Sequence, residues 1–297
     1  MEVDGVFEGG GVKGIGLVGA LAHLETQGVR FRRVAGTSAG AITAAMYAAG
    51  YTASEMKDLL WKKDFNEFAD VRPFLRGGLF GWIGRIVVAL PLILTHYGVF
   101  STQPFYLWMK KLLEKKGVRD FSDCAVPLRV FASNITRQEL LVFDWEKTPK
   151  MEVAEAVRMS MTIPIFFRAH RWKSGSEESL VVDGGVLENY PIETFDDDRD
   201  CGTIGLKLIS EGELKSAPPA NNIGAFIFRI ISTMRLAHEK IHVAEADWAR
   251  TVPINTGTIS ATKFDLTEEE KQFLYDSGRQ AAEKAIGEGL LGPKGRE

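Results

Sequence analysis

Hydrophobic and polar positions along the 297-residue chain alternate between short apolar runs and stretches with helical spacing, a pattern that predicts an α/β protein. Val3 to Phe7 alternates weakly and ends at Glu8; beyond the glycines of 9 to 14, Leu17, Leu21 and Leu24 repeat at helical spacing up to a stop at Gly28. This reads as strand, glycine loop, helix. A second apolar stretch ends at Val34-Ala35, and a run reading as helix follows Gly40. Thr52-Ala53-Ser54-Glu55 matches a capping box for a helix toward Lys62, and Gln103 to Lys116 reads as an amphipathic helix closed by Gly117. Val126 to Ile135 and Leu140 to Phe143 read as strands joined by a polar turn. Lys150 to Met161 reads as a helix stopped by Pro164, and Leu180 to Val182 as a buried strand. Then come a strand from Thr203 to Ile209, a helical run from about Asn222 to Trp248, a short strand near Val252 and a final helix from Glu268. Such alternation predicts a largely parallel sheet covered on both faces. No internal repeat appears, and the only linker-like stretch is Ser216 to Asn222, so residues 1–297 are expected to form one domain.

The most apolar segment, Leu79 to Leu94, is interrupted by Arg85 and Pro91 and is shorter than the ~20 apolar residues a bilayer span needs. It reads either as a buried core helix or as a lid or membrane-facing flap within an insertion at about 64–98. Ile223 to Leu236, rich in Phe and Ile, is a second such stretch, for which core packing is expected.

Composition limits the function classes. With 45% hydrophobic and 25% charged residues the chain is an ordinary globular protein, and a net charge of −3 leaves no footprint of nucleic-acid binding. Arg30, Arg32 and Arg33 are expected to sit exposed beside the second strand. Cys124 and Cys201 make no disulfide framework, and Met1-Glu2-Val3-Asp4 lacks the regions of a signal peptide. A cytoplasmic protein is expected, peripheral to membranes if at all; leaderless secretion would leave the same N-terminus.

Three glycine-rich sites carry candidate chemistry. Gly36-Thr37-Ser38-Ala39-Gly40 is a G-x-S-x-G pentapeptide between a strand and a helix, where a sharp turn exposes a serine hydroxyl beside a helix N-terminus. Gly9-Gly10-Gly11 lets backbone N–H groups approach an oxyanion or a phosphate. Asp183-Gly184-Gly185 ends a buried strand and offers a carboxylate as a base. Two other patterns point elsewhere. Gly9, Gly11 and Gly14 fit a dinucleotide fingerprint, but no acidic residue ends the second strand. His238-Glu239-Lys240-Ile241-His242 spells a zinc motif, with only Glu245 or Asp265 as a third ligand; a solvated helix face explains the same letters. His23, His96 and His170 read as structural or exposed. Lys13 reads as solvated or as attracting an anionic headgroup, and Asp4, Glu8 and Glu188 have no role assignable from sequence.

The blocks Gly9 to Gly14, Gly36 to Gly40 and Asp183 to Gly185, in that order, resemble the signature blocks of the patatin-like phospholipase family. The resemblance extends through Ser160 to Phe167, Val186 to Pro191 and the tail from Asp247 to Ala285; it is weakest from Asp64 to Tyr97. It implies a three-layer αβα fold with a mainly parallel central sheet, and hydrolysis of lipid acyl esters by a serine and aspartate dyad without cofactor or metal. By that resemblance Ser38 is the nucleophile, Asp183 the general base, and the amides around Gly9, Gly10 and Gly11 the oxyanion hole. The substrate implied is a phospholipid or lysophospholipid ester, with an ester of another kind, or acyl transfer, as the alternative.

Overall fold

The computed structural model describes residues 1–69, 91–175, 177–197, 201–210, 233 and 245–290. Its strands are β1 (Glu2–Phe7), β2 (Arg30–Thr37), β3 (Gly98–Phe100), β4 (Leu128–Asn134), β5 (Glu139–Asp144), β6 (Ile165–Phe167), β7 (His170–Ser174), β8 (Glu177–Asp183), β9 (Thr203–Ile209) and β10 (Thr251–Asn255). The helices are α1 (Ile15–Thr26), α2 (Ala39–Ala48), α3 (Ala53–Lys62), α4 (Asn66–Ala69), α5 (Gln103–Lys115), α6 (Val153–Ser160), α7 (Glu245–Trp248) and α8 (Glu268–Gly287). The fold is α/β, with a mainly parallel central sheet flanked by helices, in the order β10-β9-β1-β2-β4-β8-β7. β10, β9, β1, β2 and β4 pair in parallel, whereas β8, β7 and β5 join antiparallel.

Central strands are buried on both faces, as continuous apolar runs require. Phe7 and Val34 face a large core packed by α1, α2, α6 and α8, while Val6, Ala35 and Phe131 face a smaller cluster with Tyr190, Ile192 and Phe195. Local signals set the helix ends: Thr52 and Glu55 form both arms of a capping box on α3, and Thr267 and Glu270 do the same on α8. α6 starts three residues later than the sequence suggests, because Glu152 bridges Asp120 and Val153 N–H donates to the Arg119 carbonyl.

Arg33 departs from expectation. Its guanidinium is mostly covered, sits 2.7 Å from the fully buried Asp4 carboxylate and lies over the Phe195 ring. Arg32 shares the same carboxylate, so Asp4 is the anchor that draws both arginines against the sheet.

The apolar stretches at 79–90 and, except for residue 233, 223–236, the linker 216–222, most of the helical run 222–248 and the histidines at 238 and 242 lie outside the described residues. Residues 91–96 are helical, and Leu94 stands exposed. No helix among the described residues is long and apolar enough to cross a membrane.

Candidate active site

β4 brings the two polar motif residues together. β5 pairs along one edge of β4 from Arg129 to Asn134. β2 and β8 therefore share the other edge: β2 pairs up to Thr37 opposite Phe131, and β8 pairs antiparallel with Asp183 opposite Ala132. Consecutive rungs of one strand thus hold two strands that meet C-terminus to C-terminus, and their next side chains share one space. Ser38 Oγ donates to Asp183 Oδ2 at 2.6 Å, with both residues buried.

Ser38 occupies φ 52° and ψ −120°, a conformation rare for a residue with a Cβ. Crowded backbone makes the turn. A Cβ on Gly36 would stand 2.4 Å from the Gly40 carbonyl, and one on Gly40 would stand 2.0 Å from the Phe7 oxygen. Ser160 at the end of α6 props the elbow by accepting the Ser38 N–H at 2.9 Å. The hydroxyl consequently lies at the N-terminus of α2, where negative charge is favoured. Asp183 is fixed as firmly: its Oδ1 accepts the Gly185 N–H at 2.8 Å and its own N–H donates to the Thr162 carbonyl at 2.8 Å. With one oxygen held by backbone, the other faces the serine, a geometry suited to accepting its proton.

Beside the dyad, Gly9 N–H donates to the Asn189 carbonyl at 3.1 Å and Val12 N–H to the Ala261 carbonyl at 3.0 Å. Between these clamps, the N–H groups of Gly10 and Gly11 have no partner among the described residues. Gly11 has φ 57° and presses on the Ala261 carbonyl, so only glycine fits there. Gly9 contributes the room its missing side chain leaves beside Ser38, while its amide is already engaged.

Residues beyond the motifs set this loop in place. Glu8, 1% exposed, accepts from Lys207 Nζ at 2.9 Å, from Asn189 Nδ2 at 3.0 Å and from the Leu208 N–H. Lys207 lies over the Tyr190 ring. A buried charge pair with its remaining lone pairs satisfied fixes geometry, and this one fixes the first residue of the glycine loop. The sequence signal is faint: a carboxylate between an apolar strand and glycines, and an asparagine after the Asp183 motif. Lys13 is likewise buried, donating to Ser210 Oγ at 2.9 Å, so it presents no ammonium to a headgroup.

Ser38, Asp183 and Gly9 to Gly11 all line one pocket, bordered by Pro164, Asn189 and Ala261. A second, apolar cavity opens from Ser38, Gly11 and Ile163 between α2, α5 and aromatic side chains that include Phe105 and Trp108. No histidine among the described residues lines either space. His96 is exposed and His170 pairs with Glu155 at 3.1 Å. Among the described residues no group of three His, Cys, Asp or Glu could hold a metal ion, and burial pushes the Cys124 thiol up to about 12, which leaves it unreactive.

Known proteins share this chain's pattern. It is 36% identical to YqhO of Bacillus subtilis (strain 168) over 291 residues, spanning 95% of this chain and 97% of YqhO. It is 26% identical over 195 residues to 463L, a probable lipid hydrolase of invertebrate iridescent virus 6, spanning 63% of this chain and 61% of that protein. The crystal structure of VipD from Legionella pneumophila shares the fold, with a TM-score of 0.58 and 18% identity, over 97% of this chain and 67% of VipD. A sequence model of the patatin-like phospholipases matches residues 5–196, from the strand before the glycine loop to the segment after the Asp183 motif, and with the relation to YqhO it shows that the chain belongs to the patatin-like phospholipase family.

Proposed function

We propose that the protein is a lipid acyl hydrolase that cleaves carboxylic esters of glycerophospholipids, of phospholipase A or lysophospholipase type, through Ser38 and Asp183. The observation that carries this reading is the 2.6 Å hydrogen bond from Ser38 Oγ to Asp183 Oδ2 at a strained turn beside two loop amides that have no partner among the described residues. A serine hydroxyl is a weak nucleophile until a base takes its proton. Asp183 Oδ2 accepts that proton as Ser38 Oγ attacks the ester carbonyl, and the oxygen that becomes negative is held by the Gly10 and Gly11 amides. Collapse of the tetrahedral intermediate breaks the bond to the alcohol, which leaves with the proton from Asp183. Water then attacks the acyl-serine as Asp183 accepts its proton, and the acid departs as Ser38 regains its hydrogen. The apolar cavity supplies burial for the acyl chain, and the family and the name of the viral relative favour a lipid.

We read residues 1–297 as one catalytic unit, since Lys207, Leu208 and Ala261, all beyond residue 196, hold the glycine loop. Substrate in a bilayer would be reached by peripheral contact.

The test is a fluorophosphonate label and a lipid panel on pure protein. The adduct is expected on Ser38 and on no other residue, with products from at least one phospholipid or lysophospholipid. Ser38→Ala abolishes both, and Asp183→Asn lowers turnover by about a hundredfold to ten-thousandfold. An adduct at another residue, or full activity in Asp183→Asn, overturns the dyad.

A further inference from the structure

Phe65 and Phe264 belong to two spaces at once. Both line the apolar cavity that starts at Ser38, and both line an outer bay of about 680 Å³ walled by Trp61, Lys62, Lys63, Asp265 and Lys271. Among the described residues no other side chain is common to the two. One side of this pair is hydrocarbon and aromatic. The other is charged, with the Lys271 ammonium on the Trp61 carbonyl at 3.0 Å and Lys63 held by Glu67.

Neither ring is loose. Phe65 stacks on Phe68 at 5.9 Å, and Phe264 stacks on Phe166 at 5.3 Å with the edge of Phe167 beside it. Stacked rings with two side-chain torsions each resist displacement by a flexible guest. We propose that Phe65 and Phe264 are the end wall of the acyl pocket and set the longest acyl chain that the site buries. The proposal rests on reading that cavity as the acyl site.

Up to the wall, each added methylene leaves water for an apolar surface and strengthens binding about fourfold. Past it, the chain must fold back or push into a bay where lysines and carboxylates would lose water, and the gain stops. Chain length is therefore read by two aromatic side chains from opposite ends of the sequence, one just after α3 and one just before α8.

The experiment pairs two readouts on wild type, Phe264→Leu, Phe264→Ala and Phe65→Leu, each checked by thermal melt. Binding of linear alcohols from hexanol to tetradecanol is measured by displacement of a polarity-sensitive fluorophore, which needs no turnover. Hydrolysis of p-nitrophenyl esters from butyrate to palmitate is measured alongside. Wild type is expected to gain affinity with each methylene and then to plateau, with the best ester at the matching length. The leucine and alanine variants should move the plateau and the ester optimum toward longer chains, by roughly two to four carbons for removal of a whole ring. An unchanged plateau in the folded variants overturns the wall. A plateau that moves while no ester is turned over leaves the wall standing and instead defeats the hydrolase reading.

Discussion

The elbow at Gly36 to Gly40 and the loop at Gly9 to Gly14 converge on the same serine but are held by different means. The elbow is confined by backbone: Gly36 against Gly40, and Gly40 against the Phe7 carbonyl, all within adjacent parts of the sheet. The loop is confined by distant groups. Glu8 meets Asn189 across 181 positions and Lys207 across 199, and the Ala261 carbonyl closes the far side. A turn made of crowded backbone is written in its own letters, whereas a loop set by a buried ion pair is specified by residues that only the fold brings near.

Breaking the elbow should have the larger effect. Gly40→Ala puts a methyl group 2.0 Å from the Phe7 oxygen, with backbone on both sides and no flexible side chain to yield. The strain either separates α2 from β1 or turns Ser38 away from Asp183, at more than about 4 kcal/mol. Loss of fluorophosphonate labelling together with a large fall in melting temperature is expected. A folded variant that still labels would mean that the elbow is held from outside, as the loop is.

Breaking the loop's anchor should be milder and separable. Glu8→Gln keeps the shape but removes the carboxylate charge that the buried Lys207 ammonium meets at 2.9 Å, at about 3 kcal/mol. Turnover should fall about tenfold while KM for a soluble short ester hardly moves, because Gly10 and Gly11 lose alignment with the developing oxyanion. Adding Lys207→Met removes the buried ammonium as well and should restore most of the stability. Turnover is expected to stay low in the double variant, since Asn189 Nδ2 no longer meets a carboxylate. Recovery of turnover in step with stability would reduce the pair to a structural role.

The same contrast explains what the sequence disclosed. β9 from Thr203 to Ile209 and the start of α3 at Ala53 were legible because an apolar run and a capping box are local signals. Ser38, Asp183 and the three glycines were legible as motifs, yet their meeting depends on β2 and β8 sharing one edge of β4, a register no local pattern carries. β7 was missed because His170-Arg171-Trp172-Lys173 has no apolar alternation; its pairing with β8 alone makes it a strand. Arg33 was misplaced because its partner, Asp4, is a single acidic letter in an apolar strand. Glu8, one residue past the same strand, was missed for the same reason, and both carboxylates show that a lone charge in or just beyond a central strand marks a buried pair whose other half lies far along the chain.

The smallest expected effect tests how far the Ser160 prop of the elbow depends on its surroundings. α6 ends in Ser160, the acceptor of the Ser38 amide, and is tied to β7 through Glu155, which lies 3.1 Å from His170 and 3.3 Å from Arg158. Burial alone would raise the Glu155 carboxyl, but the His170 hydrogen bond and the Arg158 charge outweigh it and hold the group below its ordinary value near 4.5. A carboxyl lowered by folding contributes stability above its unfolded value, and that contribution disappears as pH falls through the folded one. Glu155→Gln should therefore lower stability by less than about 1 kcal/mol at neutral pH, given partial exposure. Urea melts of wild type and variant should converge as pH falls from the ordinary value near 4.5 through the lowered Glu155 value. Fluorophosphonate labelling at neutral pH should hardly change, because the elbow's backbone crowding keeps Ser38 in place without this tie. A labelling loss as large as that of Glu8→Gln would show that the elbow, too, depends on a remote ion pair.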